Sequence, residues 1–345
     1  MGDTRRNGRV SQNYGRKYRG HRKKNTFPRV LFLIAAIATI CFVGAKSAVS
    51  LNDLHRTVKL KETAESEEAN AIDNIFSEID IDLNHLHSPY AVLVELDSGK
   101  VLAEHNSEDK IYPASLTKIM TAVLAIENTD DLNQTVTLPY DIFEPLYAEN
   151  ASMAGFQPGE EATLKELLYG ILLPSGAECC IAFADRVAGS EEAFVEKMNE
   201  KAAEIGMSNT HFCNVTGLHN SDHYSTVEDI SVLLQYALQY EDFRQAFSSS
   251  RYSTHPTSQH PDGFTFYSTM FMYMDSTEVV GGEIIGGKTG YTEEAGLCLA
   301  SLANVNGRDY ILVTAKANGT HQTEQFHILD AIDVYSQIGE SNTLL

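Results

Sequence analysis

The residues best suited to chemistry are a serine and a lysine three positions apart, in Ser115-Leu116-Thr117-Lys118. Lys118 is the only charged residue between Ile111 and Ile126. Residues three apart share a helix face, so the Lys118 amine can reach the Ser115 hydroxyl. Apolar surroundings disfavour the ammonium form and lower a lysine pKa, as a general base near neutral pH requires. The spacing therefore predicts a serine nucleophile with a lysine base, although a helix-capping serine beside a snorkelling lysine has the same pattern.

The same spacing occurs once more, in Ser107-Glu108-Asp109-Lys110. Two acids stand between the hydroxyl and the amine there. A solvated lysine beside carboxylates stays protonated and cannot act as a base. We therefore interpret this second copy as a polar surface turn.

A second candidate element is Lys288-Thr289-Gly290, within the glycine-rich stretch 286–291. Glycines let a ligand backbone approach a strand edge closely. A cation and a hydroxyl beside that edge suit a terminal carboxylate. The spacing of a phosphate-binding loop is not met, so a nucleotide site is a poor interpretation.

Three motifs in order along the chain resemble those of the serine-type D-alanyl-D-alanine carboxypeptidases, the low-molecular-mass penicillin-binding proteins. They are 112–121 (YPASLTKIMT), 172–176 (LLPSG) and 287–290 (GKTG). Supporting stretches are 94–102 and 209–219. The resemblance runs from about Tyr90 to Ile338. It implies a fold like that of β-lactamases and penicillin-binding proteins, in which an antiparallel sheet is flanked by helices and joined to a helical subdomain.

The resemblance also implies residue roles and a reaction. Ser115 would attack the D-Ala-D-Ala peptide bond of a peptidoglycan stem peptide, and water would hydrolyse the acyl-enzyme. Lys118 would accept the proton of the nucleophile, and Ser175 would relay a proton to the leaving amine. The substrate carboxylate would be held by Lys288 and Thr289, within a substrate-binding set that also includes Gly290 and Tyr291. The backbone N–H groups of Ser115 and Tyr291 would form the oxyanion hole. β-Lactams would acylate Ser115, and no cofactor or metal is expected.

The second motif departs from the family pattern, which is usually Ser-x-Asn. Here it reads Ser175-Gly176-Ala177, so the amide that helps to orient substrate and lysine is missing. Glu178 is a candidate replacement. The departure keeps open a second interpretation, a non-catalytic module that binds penicillin or peptidoglycan. A third interpretation, a β-lactamase of the same fold, ranks last because no motif supplies a recognisable deacylating base.

A competing metal site would use His219, Asp222 and His223, since imidazole and carboxylate are common zinc ligands. No further ligand motif completes such a site. Among the five cysteines, the adjacent pair Cys179 and Cys180 lies in an apolar run, so core packing is expected, with a disulfide as the alternative.

Hydrophobic patterning places these motifs on elements. Strands are expected at 91–96 and 101–103, with a turn at 97–100, and a helix at 114–126. Residues 140–248 read as mostly helical, with a capping box at 225–228. Strands are expected again at 286–291, 297–303 and 310–315, with an Asn306-Gly307 hairpin, followed by a helix at about 323–338. The short hairpins favour an antiparallel sheet.

Charge divides the chain sharply. Residues 1–29 hold ten Lys or Arg and one acid, although the net charge of the chain is −21. The folded part is therefore strongly acidic, which excludes a nucleic-acid binder. The sixteen uncharged residues 30–45 indicate a membrane anchor or a cleaved signal peptide, with the catalytic domain outside the cytoplasm.

The expected organisation is a basic cytoplasmic head (1–29), an anchor or signal segment (30–49), an acidic stalk (50–88) and a catalytic domain (89–340). Only seven residues follow Ile338, so the family's common C-terminal β-domain and membrane helix are not expected. The N-terminal segment would take their place as the anchor, and the protein would be secreted if that segment is cleaved.

Overall fold

A computed structural model describes residues 81–341. The expected head, anchor and most of the stalk lie outside the described residues, and the domain boundaries stay predictions. Within 81–341, no helix is long and apolar enough to cross a membrane.

The main structural element is an antiparallel sheet of six strands in the order β2-β1-β10-β9-β8-β7. The strands are β1 (Tyr90–Glu95), β2 (Lys100–His105), β7 (Glu278–Val279), β8 (Gly282–Thr292), β9 (Gly296–Val305) and β10 (Arg308–Ala317). The predicted antiparallel sheet is confirmed. β1 pairs with β10, so the first and last long strands of the domain are neighbours.

The hairpin between β9 and β10 turns where the sequence predicts it. Asn306 has φ 53° and Gly307 has φ 78°. Two consecutive positive φ values define the turn type whose twist matches paired strands, and the Asn-Gly pair favours it. The pairing of Val305 with Arg308 follows directly.

Helices make up most of residues 114–248, as predicted. A 3-10 turn (Ala114–Thr117) leads into α1 (Lys118–Glu127). The other helices of this region are α2 (Phe143–Ala148), α3 (Leu164–Leu172), α4 (Ala177–Ala188), α5 (Glu191–Ile205), α6 (Val227–Ala237) and α7 (Glu241–Phe247). Two small two-stranded antiparallel sheets pair β3 (Thr135–Thr137) with β4 (Glu161–Thr163), and β5 (Arg251–Ser253) with β6 (Thr265–Tyr267). A short α8 (Thr269–Met272) follows, and α9 (Phe326–Ser341) ends the described chain.

The predicted capping box at 225–228 was wrong by one residue. Thr226 is the N-cap of α6, and its side chain accepts from the backbone N–H of Asp229. A capping box does occur at α3, where Thr163 and Glu166 exchange hydrogen bonds. At the start of α6, serine and threonine both suit the N-cap position. Tertiary packing therefore decides which of Ser225 and Thr226 begins the helix.

Apolar side chains cover both faces of the sheet. One face packs against α9 through Ile328, Val334 and Ile338. The other packs against the helical subdomain through a larger cluster that includes Val92, Ile119 and Leu234. Cys179 and Cys180 are fully buried free thiols in that larger cluster, as the apolar run predicts.

Candidate active site

Ser115 and Lys118 lie together at the start of the first helical segment. The Lys118 Nζ is 3.1 Å from the Ser115 Oγ, and the lysine side chain is 2% exposed. Burial lowers the Lys118 pKa, because a low-dielectric surrounding penalises the ammonium form. The predicted pairing of hydroxyl and amine is therefore present in space.

The turn that carries Ser115 is a 3-10 turn rather than the first turn of an α-helix. Ala114 has φ 46°, a left-handed conformation that an L-residue adopts at a cost. Gly217 is the neighbour that packs on this turn, since a Cβ at Gly217 would lie 1.9 Å from the Ala114 carbonyl oxygen. Close packing therefore holds the turn that carries Ser115 in an unusual backbone geometry.

Ser175 lies between α3 and α4 and faces the sheet. Its hydroxyl accepts a hydrogen bond of 3.0 Å from the Nζ of Lys288, which is fully buried. Burial holds the pKa of Lys288 well below its usual range. Lys288 also donates to the carbonyl of Thr289 at 2.8 Å. The second and third motifs are therefore in direct contact across the cleft.

β8 brings the third motif against the turn that carries Ser115. A Cβ at Gly290 would lie 3.1 Å from both the Ser115 nitrogen and the Pro113 carbonyl oxygen, so a side chain there would require the turn around Ser115 to shift by a few tenths of an ångström. The Thr289 hydroxyl lies 2.6 Å from that of Thr269 in α8. The Tyr291 ring makes an edge contact with His321, at 4.9 Å between centroids.

Beyond Glu283, β8 has no strand partner on the β7 side within the described chain. This leaves a backbone edge of β8 beside the third motif.

The closest hydrogen-bond partner of Lys118 was not predicted from the sequence. The Lys118 Nζ donates to the backbone carbonyl of Thr216 at 2.6 Å. Thr216 lies in 209–219, a stretch that the sequence singles out, but a backbone contact leaves no mark on residue type. Thr269 was missed as well, since nothing in the sequence links α8 to Thr289.

Glu178 does not take the position of the missing amide. Its Oε1 accepts from the backbone N–H groups of Ala154 and Gly155, at 2.7 and 2.9 Å. Its Oε2 is buried without a partner, and burial raises the Glu178 pKa. The carboxylate therefore fixes the loop that borders the second motif instead of binding Lys118.

Both histidines of the alternative zinc site have other partners. His223 is buried, with Nε2 2.7 Å from the Thr117 Oγ1 and Nδ1 accepting from the Cys213 N–H at 3.0 Å. His219 lies instead against Tyr112 and near Glu294. Residues 81–341 contain no group of three or more His, Cys, Asp or Glu side chains arranged to hold a metal.

The other Ser-x-x-Lys sequence lies in a turn whose lysine is exposed, although Ser107 itself is buried. The Ser107 hydroxyl donates to Glu104 at 2.9 Å, and the Lys110 amine lies over the Tyr224 ring. Lys110 is exposed. The Lys110 amine is therefore accessible to solvent, whereas the Lys118 amine is buried.

Comparison with known proteins agrees with this geometry. The family model described as D-alanyl-D-alanine carboxypeptidase, Peptidase_S11, matches residues 78–319. D-alanyl-D-alanine carboxypeptidase DacF of Bacillus subtilis is 36% identical over 230 residues, which are 66% of this chain and 57% of that protein. DacC of Escherichia coli is 38% identical over 149 residues, or 41% of this chain and 37% of that one. The chain thus spans little more than half, or less, of these relatives.

Solved structures share the fold. The crystal structure of a Streptomyces DD-transpeptidase superimposes with a TM-score of 0.66 at 25% identity, covering 77% of this chain and 100% of that one. A D-alanyl-D-alanine carboxypeptidase from Mycobacterium tuberculosis gives a TM-score of 0.62 at 24% identity, over 77% and 94% of the two chains, and supports the fold alone. The fold expected from the motifs is confirmed. The chain belongs to the D-alanyl-D-alanine carboxypeptidase family.

Proposed function

We propose that this protein is a serine-type D-Ala-D-Ala carboxypeptidase that removes the terminal D-alanine from peptidoglycan stem peptides. The observation that carries the proposal is the Ser115–Lys118 contact, in which a buried amine with a lowered pKa lies 3.1 Å from a hydroxyl oxygen. A neutral amine at that distance can accept the hydroxyl proton.

The proposed reaction has two steps. The Ser115 Oγ bonds to the substrate carbonyl carbon while its proton passes to the Lys118 Nζ. The C–N bond then breaks, and the leaving D-alanine amine takes up a proton through Ser175. Water next attacks the acyl ester, its proton returns to Ser115, and the shortened peptide leaves with a new carboxylate. No redox partner is needed.

Substrate binding is assigned to the strand edge of β8. In this proposal the protonated form of Lys288 and the Thr289 hydroxyl bind a terminal carboxylate, and Gly290 and Tyr291 continue the strand beside them. Backbone N–H groups of Ser115 and Tyr291 form the oxyanion hole in this proposal. The close approach of Gly290 to the Ser115 nitrogen supports that placement. β-Lactams would acylate the same serine.

We also propose that the catalytic domain lies on the outer side of the cell membrane. The support is the run of uncharged residues 30–45 behind a head of ten basic residues, a charge order that retains the head in the cytoplasm. Protease added to intact cells should remove the domain and spare an N-terminal tag. Protection of the domain would contradict this placement.

The activity can be tested on the full chain, purified in detergent. We expect release of D-alanine from a D-Ala-D-Ala peptide and covalent labelling by a fluorescent penicillin. Both should vanish in Ser115→Ala and persist in Ser107→Ala, the matched serine of the surface turn. Labelling without release would favour a binding module, rapid turnover of penicillin would favour a β-lactamase, and neither labelling nor release would contradict Ser115 as a nucleophile.

A further inference from the structure

One side chain organises the turn that holds the catalytic lysine. The Asn214 Oδ1 accepts from the backbone N–H groups of Thr216 and Gly217, at 3.2 and 2.7 Å, and from the Thr216 hydroxyl at 3.2 Å. Its Nδ2 donates to the Leu218 carbonyl at 2.9 Å. Four groups of the turn 216–218 are therefore tied to a single amide.

The turn is also fastened to its surroundings. The Val215 carbonyl accepts from the Thr121 hydroxyl of α1 at 2.7 Å, and the Val215 N–H donates to Glu191 at 3.0 Å. Gly217, with φ 80°, packs on the Ala114 carbonyl. The Thr216 carbonyl is consequently held in a fixed position relative to both Ser115 and Lys118.

The Thr216 carbonyl affects the orientation of the Lys118 amine. A neutral lysine has one lone pair and two N–H groups, and it acts as a base only when the lone pair faces the hydroxyl. The hydrogen bond of 2.6 Å to the Thr216 carbonyl engages one N–H and so leaves the lone pair free to face the Ser115 Oγ. Ala177 offers no side-chain amide for this purpose, and the Glu178 carboxylate is directed at the 154–155 backbone.

We infer that Asn214 is a positioning residue, which orients Lys118 toward Ser115 through the Thr216 carbonyl and replaces the amide that the second motif lacks. This role rests on the proposed acylation of Ser115. It adds a determinant of rate that makes no contact with substrate. Loss of Asn214 should slow the transfer of the Ser115 proton without changing how the substrate carboxylate is held.

The experiment uses the full chain in detergent and a fluorescent penicillin. The amplitude of labelling measures the amount of correctly folded enzyme. The first-order rate constant at saturating penicillin measures the acylation step alone. Asn214→Ala is compared with Asn214→Asp, which keeps the three accepted hydrogen bonds. Asn220→Ala is the matched control, because Asn220 is exposed in the same loop and caps only the Asp222 N–H.

We expect Asn214→Ala to lower the acylation rate constant about 10- to 100-fold, because a small misplacement of a reacting group has an effect of that size. Asn214→Asp should recover to within about threefold of the wild type at the pH where each protein reacts fastest, and Asn220→Ala should match the wild type. The half-saturating penicillin concentration should change little. An unchanged rate constant with reduced amplitude, or equal losses in Asn214→Ala and Asn214→Asp, would overturn the role of Asn214.

A second measurement does not depend on acylation. The ¹³Cε resonance of Lys118, assigned by its loss in Lys118→Arg, should shift in Asn214→Ala, return toward the wild-type position in Asn214→Asp and stay in place in Asn220→Ala. A wild type that penicillin does not label would refute the proposed function, whereas a Lys118 resonance that ignores Asn214 would refute the positioning role itself.

Discussion

The amine of Lys288 lies 3.0 Å from the hydroxyl of Ser175, although the two residues are 113 positions apart. This hydrogen bond joins the sheet to the helical subdomain at the cleft. Both side chains are buried, so each depends on the other to satisfy its polar atoms. The contact therefore serves the packing of the two layers as well as the proposed relay of a proton.

Replacing Ser175 by alanine should slow both acylation and D-alanine release by about 100-fold, since a positioned proton donor contributes on that order. Rapid-quench labelling measures the acylation rate. Ser258→Ala is a suitable control, because that serine is exposed and its hydroxyl donates to the side chain of the neighbouring Gln259. A Ser175→Ala protein that releases D-alanine at the wild-type rate would exclude Ser175 from the proton path.

The rate of acylation should depend on pH through Lys118. Burial lowers the pKa of this lysine, and only the neutral amine can accept the proton of Ser115. Below that lowered pKa the ammonium form accumulates and the rate falls; above it the rate reaches a plateau. A pH profile of penicillin labelling should show this rise at a pH below the ordinary lysine value of 10.5. A profile that rises only near that ordinary value would contradict the proposed base.

Gly217 should not tolerate a side chain. A Cβ there would lie 1.9 Å from the Ala114 carbonyl oxygen, and φ is already 80°. Backbone must move to accept it, so we expect Gly217→Ala to cost about 3 kcal/mol of unfolding free energy and to abolish labelling.

The control for Gly217 is Gly189, at the end of α4. It has φ 85° and nothing within 4 Å of a built Cβ. Gly189→Ala should therefore cost only the strain of a left-handed alanine, about 1 kcal/mol, with labelling unchanged. Denaturant unfolding of both variants provides the comparison, and equal costs would show that contact with Ala114 is not what restricts Gly217.

His223 should make the protein sensitive to acid. Burial lowers the pKa of His223 from 6.5 to about 4. The unfolded chain then binds the proton more tightly than the folded one, so the contribution is fully present above pH 6.5 and is lost as the pH falls toward 4. The shift corresponds to about 3 kcal/mol.

The check is the unfolding free energy measured from pH 7 to pH 4 in the wild type and in His223→Gln. Glutamine cannot take up the proton, so the variant should lose less stability over this range, although it starts from a lower value because the Thr117 and Cys213 hydrogen bonds are disturbed. Parallel curves for the two proteins would show that His223 does not titrate as its burial predicts.

Much of this fold could be predicted from the sequence, because the local hydrophobic pattern agrees with the tertiary structure in these elements. Apolar runs on either side of an Asn-Gly pair indicate β9 and β10, and the isolated charge of Lys118 in an apolar run indicates its burial. The start of the last helix was less accessible, since it begins at Phe326 and not near Thr323.

The roles of backbone atoms could not be read in advance. The Thr216 carbonyl is chemically the same as every other carbonyl, and only the folded turn directs it at Lys118. The 3-10 turn at Ser115 likewise follows from contacts with Gly217 and Gly290 that join distant segments. Sequence therefore predicts which side chains are candidates for the reaction, whereas their orientation is a property of the folded chain.

The pairing of β1 with β10 sets the order in which the domain can be completed. β1 forms a local hairpin with β2. Its partner on the other side, β10, is synthesised more than 200 residues later, and only then can Tyr310 pair with Glu95. Until then the apolar strand 91–94 has an open edge, and such edges invite pairing with other chains. We expect slow folding dominated by contacts of long sequence separation.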